Sequence, residues 1–105
     1  MNYKEEFMAI LELTLVPIGT ETTSVSKYVA AASKILKESG IKHELNPMGT
    51  VLEGDPDELL KVVRKMQEEV FDAGAKRVYS VIKMDDRRDK EAHMEEKIKS
   101  VKEKL

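Results

Sequence analysis

The sequence predicts an α+β fold, four strands and two helices in the order βαββαβ with one further helix at the C-terminal end. Three observations predict it. Apolar residues recur at period two, or in short runs, in four stretches, and at helical spacing in three others. Gly or Pro marks nearly every change of period. A tetrapeptide pattern, Pro-x-Gly-Thr, occurs twice, as Pro17-Ile18-Gly19-Thr20 and Pro47-Met48-Gly49-Thr50, each time directly after a strand-like run.

The first strand is the clearest. Phe7, Ala9, Leu11, Leu13 and Leu15 alternate with Met8, Ile10, Glu12, Thr14 and Val16, so the odd positions face a core. The polar stretch 21–24 follows, with Ser24 as the expected N-cap of a helix. Val25, Tyr28, Val29, Ala32, Ile35 and Leu36 form its apolar stripe, and Gly40 stops it. Ile41 to Leu45 reads as a short second strand and Thr50 to Gly54 as a third. Asp55-Pro56-Asp57-Glu58 is a helix start, with Asp55 as cap, Pro56 in the first turn and Glu58 placed to close a capping box. Leu59, Val63, Met66 and Val70, joined by Leu60 and Phe71, are expected to form the buried stripe of that helix, which Gly74 ends. Lys76 to Met84 is the fourth strand. Asp89 is expected to open the terminal helix, whose stripe is Met94, Ile98, Val101 and Leu105.

This order is that of the ferredoxin-like split βαβ sandwich, with an antiparallel sheet ordered 4-1-3-2. Residues 1–105 are expected to form one domain. The topology carries the two Pro-x-Gly-Thr segments to one end of the sheet, beside the start of the first helix and Lys76-Arg77. Hydroxyls and free amides from those segments would rim a pocket. Both helices cover one sheet face. On the open face, Glu12 and Glu53 fall near one another beside Met8, Ile10 and Val51, a surface too apolar to stand uncovered. A second subunit or the terminal helix is expected to cover it. Two carboxylates there call for a cationic or donor-rich ligand.

Composition narrows the field. The formal charge of −2 on 105 residues provides no basic face for a nucleic-acid backbone. No apolar run approaches the roughly 18 residues of a membrane span. The opening residues lack the basic start of a secretory signal. There is no cysteine, hence no disulfide or thiolate chemistry. A cytoplasmic protein is expected. His43 and His93 stand far apart without further ligands, so neither a metal nor a cofactor site is expected. Asp85-Asp86-Arg87-Arg88-Asp89 reads as an ion-pair network joining the terminal helix to the body or to a partner.

Pro17-Ile18-Gly19-Thr20, Thr23-Ser24-Val25-Ser26 with Tyr28-Val29, Met48-Gly49-Thr50, Glu53, Arg77-Val78 and the Asp85–Asp89 run resemble the YkoF-like thiamine-binding protein family. The resemblance spans nearly the whole chain, from Met8 to Leu105. It implies a ferredoxin-like fold, a homo-oligomer, commonly a tetramer of packed sheets, and non-catalytic binding of thiamine or its hydroxymethylpyrimidine part. Carried onto this sequence, it implies that Glu12 or Glu53 receives the aminopyrimidine donor or balances the thiazolium. Thr20, Ser24, Ser26 and Thr50 would be hydroxyl partners, Gly19 and Gly49 would allow close approach of the backbone, and Met48 would pack on a ring face. Two competing classes remain: a regulatory ferredoxin-like module binding another metabolite or a partner, and an enzyme acting on a pyrimidine with Glu12 or Glu53 as general base. Plain turn chemistry for the repeated tetrapeptide and a solvated role for the two carboxylates are the simplest readings of the same residues.

Overall fold

In the computed structural model, which describes residues 8–20, 25–90 and 93–105, β1 (Met8–Ile18) lies inside a four-stranded antiparallel sheet of order β2-β3-β1-β4. The other strands are β2 (Lys42–Asn46), β3 (Gly49–Gly54) and β4 (Arg77–Arg87). Helices α1 (Ser26–Ser39) and α2 (Pro56–Asp72) cover one face, and α3 (Met94–Lys102) follows β4. This is the ferredoxin-like α+β order with a C-terminal helix.

The period-two pattern sets which residues are buried. Ala9, Leu11 and Leu13 are buried on the helix side, and Leu11 stands directly opposite the equally buried Leu52. Tyr28, Ala32 and Leu36 from α1, with Leu59, Val62, Val63, Met66 and Val70 from α2, complete this core. Burying each such aliphatic side chain contributes about 1.5–3 kcal/mol. The Asp55 carboxylate accepts the Glu58 N–H at 3.1 Å with Pro56 in the first turn, so α2 starts where its capping signal stands. Gly40 closes α1 in the left-handed region at φ 74°.

Several boundaries depart from the sequence expectation. β1 continues through Pro17 to Ile18, where Val78 and Arg77 are the β4 partners. Its pairing with β3 ends at Leu13↔Thr50, so the flank of β1 towards β3 is unpaired at Pro17 and a residue without an N–H is accommodated. The first Pro-x-Gly-Thr is thus half strand, and the second begins as the turn Pro47-Met48 and runs into β3. β4 extends to Arg87 because β1 pairs with it along its full length. Finally, α3 begins at Met94 with His93 at its cap position, not at Asp89. Asp89 instead pairs with Arg87, whose guanidinium holds its carboxyl down to about 2. Val25 holds the cap position of α1 without a side-chain cap bond, and Ser24 lies outside the described residues.

The β2–β3 turn is held against β1 by close packing. A Cβ on Gly49 would stand 2.9 Å from the Leu13 carbonyl oxygen and 3.0 Å from Thr14 Oγ1. The Thr14 hydroxyl donates to the Met48 carbonyl at 2.9 Å. Gly49→Ala is therefore expected to destabilise the fold by about 1–3 kcal/mol, read as a lower urea midpoint at unchanged slope. An unchanged midpoint would contradict the close approach of this hairpin to β1.

Candidate ligand cavity

Beyond Leu13, the β3 flank of β1 faces a gap instead of a strand. α1 and the β2–β3 hairpin wall that gap and enclose a cavity of about 290 Å³. This is close to the lower end of the size range of small-molecule sites. Pro17 and the segment Pro47–Thr50 both line it, so the two Pro-x-Gly-Thr segments meet at one hollow. Its floor is made by Leu13, Leu15, Met66 and Val70, and its α1 wall by Val25, Tyr28, Val29, Ala32 and Ser33.

Two properties define what such a hollow can hold. No described lining residue is charged, so a bare cation or anion inside it would lose hydration without a counter-charge. Residues with polar side chains are nevertheless among the lining: Thr14, Tyr28, Ser33, Asn46 and Thr50. An apolar slot with a few neutral donors and acceptors suits a flat heteroaromatic ring. Val25, Val29, Leu45 and Met48 line the same cavity and are exposed, Met48 to 84%, so the mouth is ringed by apolar side chains.

Met48, Gly49 and Thr50, predicted from sequence, line this cavity. Gly19, Thr20 and Ser26 do not. Gly19 sits at φ 79°, and a Cβ there would come within 3.1 Å of the Lys76 Cβ, which places this turn against the start of β4. Ser26 is the first residue of α1, and Ser24 lies outside the described residues.

Glu12 and Glu53 are diagonal neighbours on the open face, since Glu12 faces Val51 and Glu53 faces Ile10. They do not form a joint acidic site. Glu12 turns to Lys83 on β4 at 3.6 Å. Glu53 turns the other way, to Lys42 on β2 at 3.0 Å. The sequence reading placed the pocket on the open face beside both carboxylates, whereas the cavity lies across the sheet, on the helix side of the β2–β3 hairpin.

Glu53 is buried, its side chain only 2% exposed, because the first turn of α3 covers it. Its Oε1 accepts the Met94 N–H at 3.0 Å and meets His93 Nδ1 at 3.1 Å. Burial pushes the Glu53 carboxyl up, but the hydrogen bonds from Lys42, the Met94 N–H and His93 outweigh it and hold it below the usual carboxylate range. Lys42 also pairs with Glu95 at 2.7 Å. Lys97 reaches Asp85, so the Asp85–Asp89 segment forms an ion pair with the terminal helix, and its other pairs, Arg87 with Asp89 and Arg88 with Asp86, lie within it.

The sequence reading missed Ser33 and Asn46 as cavity residues and assigned Tyr28 to the core alone. A signal was available in the Val25, Val29, Ser33 spacing, a second α1 stripe offset from Tyr28, Ala32 and Leu36. Among the described residues, no three His, Cys, Asp or Glu side chains stand together as metal ligands. No helix among them is long and apolar enough to cross a membrane.

The family model described as "Thiamine-binding protein" matches residues 11–102. A UPF0045 protein of Methanothermobacter thermautotrophicus is 48% identical over 99 residues, 93% of this chain and 100% of that one. The crystal structure of a hypothetical protein of Methanocaldococcus jannaschii superposes with a TM-score of 0.83 at 42% identity, covering 91% of this chain and 97% of that one. A structure from Thermotoga maritima, named as a candidate thiamine biosynthesis/salvage protein, shares the fold with a TM-score of 0.77 at 21% identity over 90% of this chain and 98% of that one. With nearly its whole length matched by that family model and by close relatives, the chain belongs to the thiamine-binding protein family.

Proposed function

We propose that this protein is a non-catalytic, cytoplasmic binding protein for thiamine, or for its hydroxymethylpyrimidine part, held by the cavity between β1, α1 and the β2–β3 hairpin. The observation that carries the reading is the uncharged, ring-sized hollow where the two Pro-x-Gly-Thr segments meet. Family membership supplies the ligand class. The two halves of thiamine then take different places. The neutral aminopyrimidine enters, with Ser33 and Thr50 as hydrogen-bond partners. The thiazolium stays at the mouth, because a cation gains nothing from an apolar wall without a counter-charge. There the exposed Met48 packs on a ring face through its polarizable sulfur. Gly49 brings the hairpin backbone close to the ring. Gly19, Thr20 and Ser26, which do not line the cavity, have no part in this reading. The predicted carboxylate pair is not used: Glu53 holds α3 and Glu12 faces Lys83.

A second copy covers the rest of the open face. Val16, Ile18, Tyr79 and Val81 are exposed there, and Ile98 and Val101 of α3 and the following Leu105 are exposed as well. Two separate apolar surfaces on one chain suit a homo-oligomer, and a tetramer uses both. The same exposed face also favours the competing reading, a regulatory module that binds another metabolite. Amino acids, and not thiamine, would then raise its melting temperature.

Calorimetric titration is expected to give saturable binding of thiamine at one site per chain. No heat with millimolar thiamine or hydroxymethylpyrimidine removes the reading. Ser33→Phe, which fills the cavity from a helix surface, is expected to weaken binding by at least about tenfold while moving the melting temperature by no more than about 4 °C. Glu12→Gln is expected to leave affinity within about twofold of the starting value. For assembly, Val81→Glu is expected to lower the oligomer mass in sedimentation. A monomer at micromolar concentration before any substitution would defeat that part of the proposal.

A further inference from the structure

We propose that α3 is a detachable arm and that ionised Glu53 is the latch that keeps it on the sheet. The inference is independent of the ligand reading. The register aligns Lys42, Glu53, Ile10 and Asp85 in one row across the sheet, one residue from each strand. The start of α3 lies over this row and contacts all three of its charged members. Glu95 meets Lys42, Lys97 meets Asp85, and the Met94 N–H and His93 meet Glu53.

The hold on α3 is concentrated at one of these contacts. Lys42, Glu95, Lys97 and Asp85 are about half exposed or more, and ion pairs of that kind contribute little. Met94 is the one buried residue of the described helix, and Ile98 and Val101 are exposed. His93 holds the cap position without a side-chain cap bond, so the Glu53 carboxylate, reaching across from β3, caps the helix. A buried anion at a helix N-terminus also meets the positive end of the dipole. Neutralising Glu53 removes the charge-assisted bonds from Lys42, His93 and Met94 together. The sheet survives this loss, because its core of Leu11, Leu52 and the helices lies on the other face.

The direction with pH follows from the groups around the carboxylate. Lys42 from β2 and His93 from α3 stabilise the ionised form. Glu12 on β1 and Asp85 on β4 are nearby acids, each with its own lysine, and Glu95 on α3 shares Lys42 with Glu53. The folded carboxyl titrates below its ordinary 4.5, so the hold is complete above 4.5 and is lost as pH falls through the lower folded value. Protonating His93 puts a positive charge beside Glu53 and tightens the latch, so His93 is not the release group.

The test follows the Met94 methyl carbon signal in the full chain as pH is lowered, with Leu11 and Leu52 methyls as sheet controls. Met94 is expected to reach a solvent-like shift at a midpoint below 4.5 while both leucines keep their buried shifts. At neutral pH, Glu53→Gln is expected to speed amide exchange in α3 by at least about tenfold and to leave β1 and β3 unchanged. Lys42→Met is expected to raise the acid midpoint by about half a pH unit or more. One shared midpoint for Met94 and Leu52 overturns the proposal, as does unchanged α3 exchange in Glu53→Gln. Should Glu53→Gln fail to fold, the Lys42→Met midpoint decides, and no rise overturns it.

Discussion

The uneven partnership of β1 is the constraint on which the site depends. On one side β1 pairs with β4 from Met8 to Ile18, and on the other its ladder with β3 stops at Leu13↔Thr50. The difference leaves half a strand with a bare flank. Close packing of the hairpin against Leu13 and Thr14 brings a wall to that flank without filling it. A longer β3 would close the hollow with a ladder, and a looser hairpin would open it to bulk water. The cavity is therefore a product of strand length and register. Its side chains set its chemistry, but the backbone sets its existence.

The two faces of the sheet divide the work. The helix side holds the apolar core and, at its hairpin end, the ring-sized hollow. The opposite side carries charge where α3 crosses it and apolar surface where it does not. Glu53 stands at the boundary between those two regimes. Its burial would be costly alone, since desolvation penalises a carboxylate strongly. Three donors from two different elements offset that cost and fix the direction of the terminal helix.

Much of the fold was legible because it rests on periodicity. Alternation in β1 identified Leu11 and Leu13 as core, and it placed Glu12 and Glu53 on one open face. The Asp55-Pro56 start and the Gly40 stop are local signals that the structure uses as written. The errors arose where a distant element overrides a local rule. Pro17 reads as a strand end only if both flanks of the strand are paired, and one is not. Asp89 reads as a helix cap only if no better carboxylate is near, and Glu53 is better placed. The two acids share a face, but their lysines lie on opposite neighbouring strands, which no single-strand pattern reveals. The repeated tetrapeptide pointed to the end of the sheet where the cavity lies. Ser33 and Asn46 escaped notice because each is an unremarkable polar residue until α1 and the hairpin are brought together.

The tertiary origin of the α3 cap also bears on the order in which the chain folds. α1 and α2 carry stop or start signals within a few residues of themselves, so each can nucleate early. α3 takes its cap from a residue 41 positions back in the chain. That partner is in place only after β3 has found its register between β2 and β1. Contacts of such long sequence separation form late, since the intervening loop must close first. The cap of α3 is therefore expected to form after the local caps of α1 and α2.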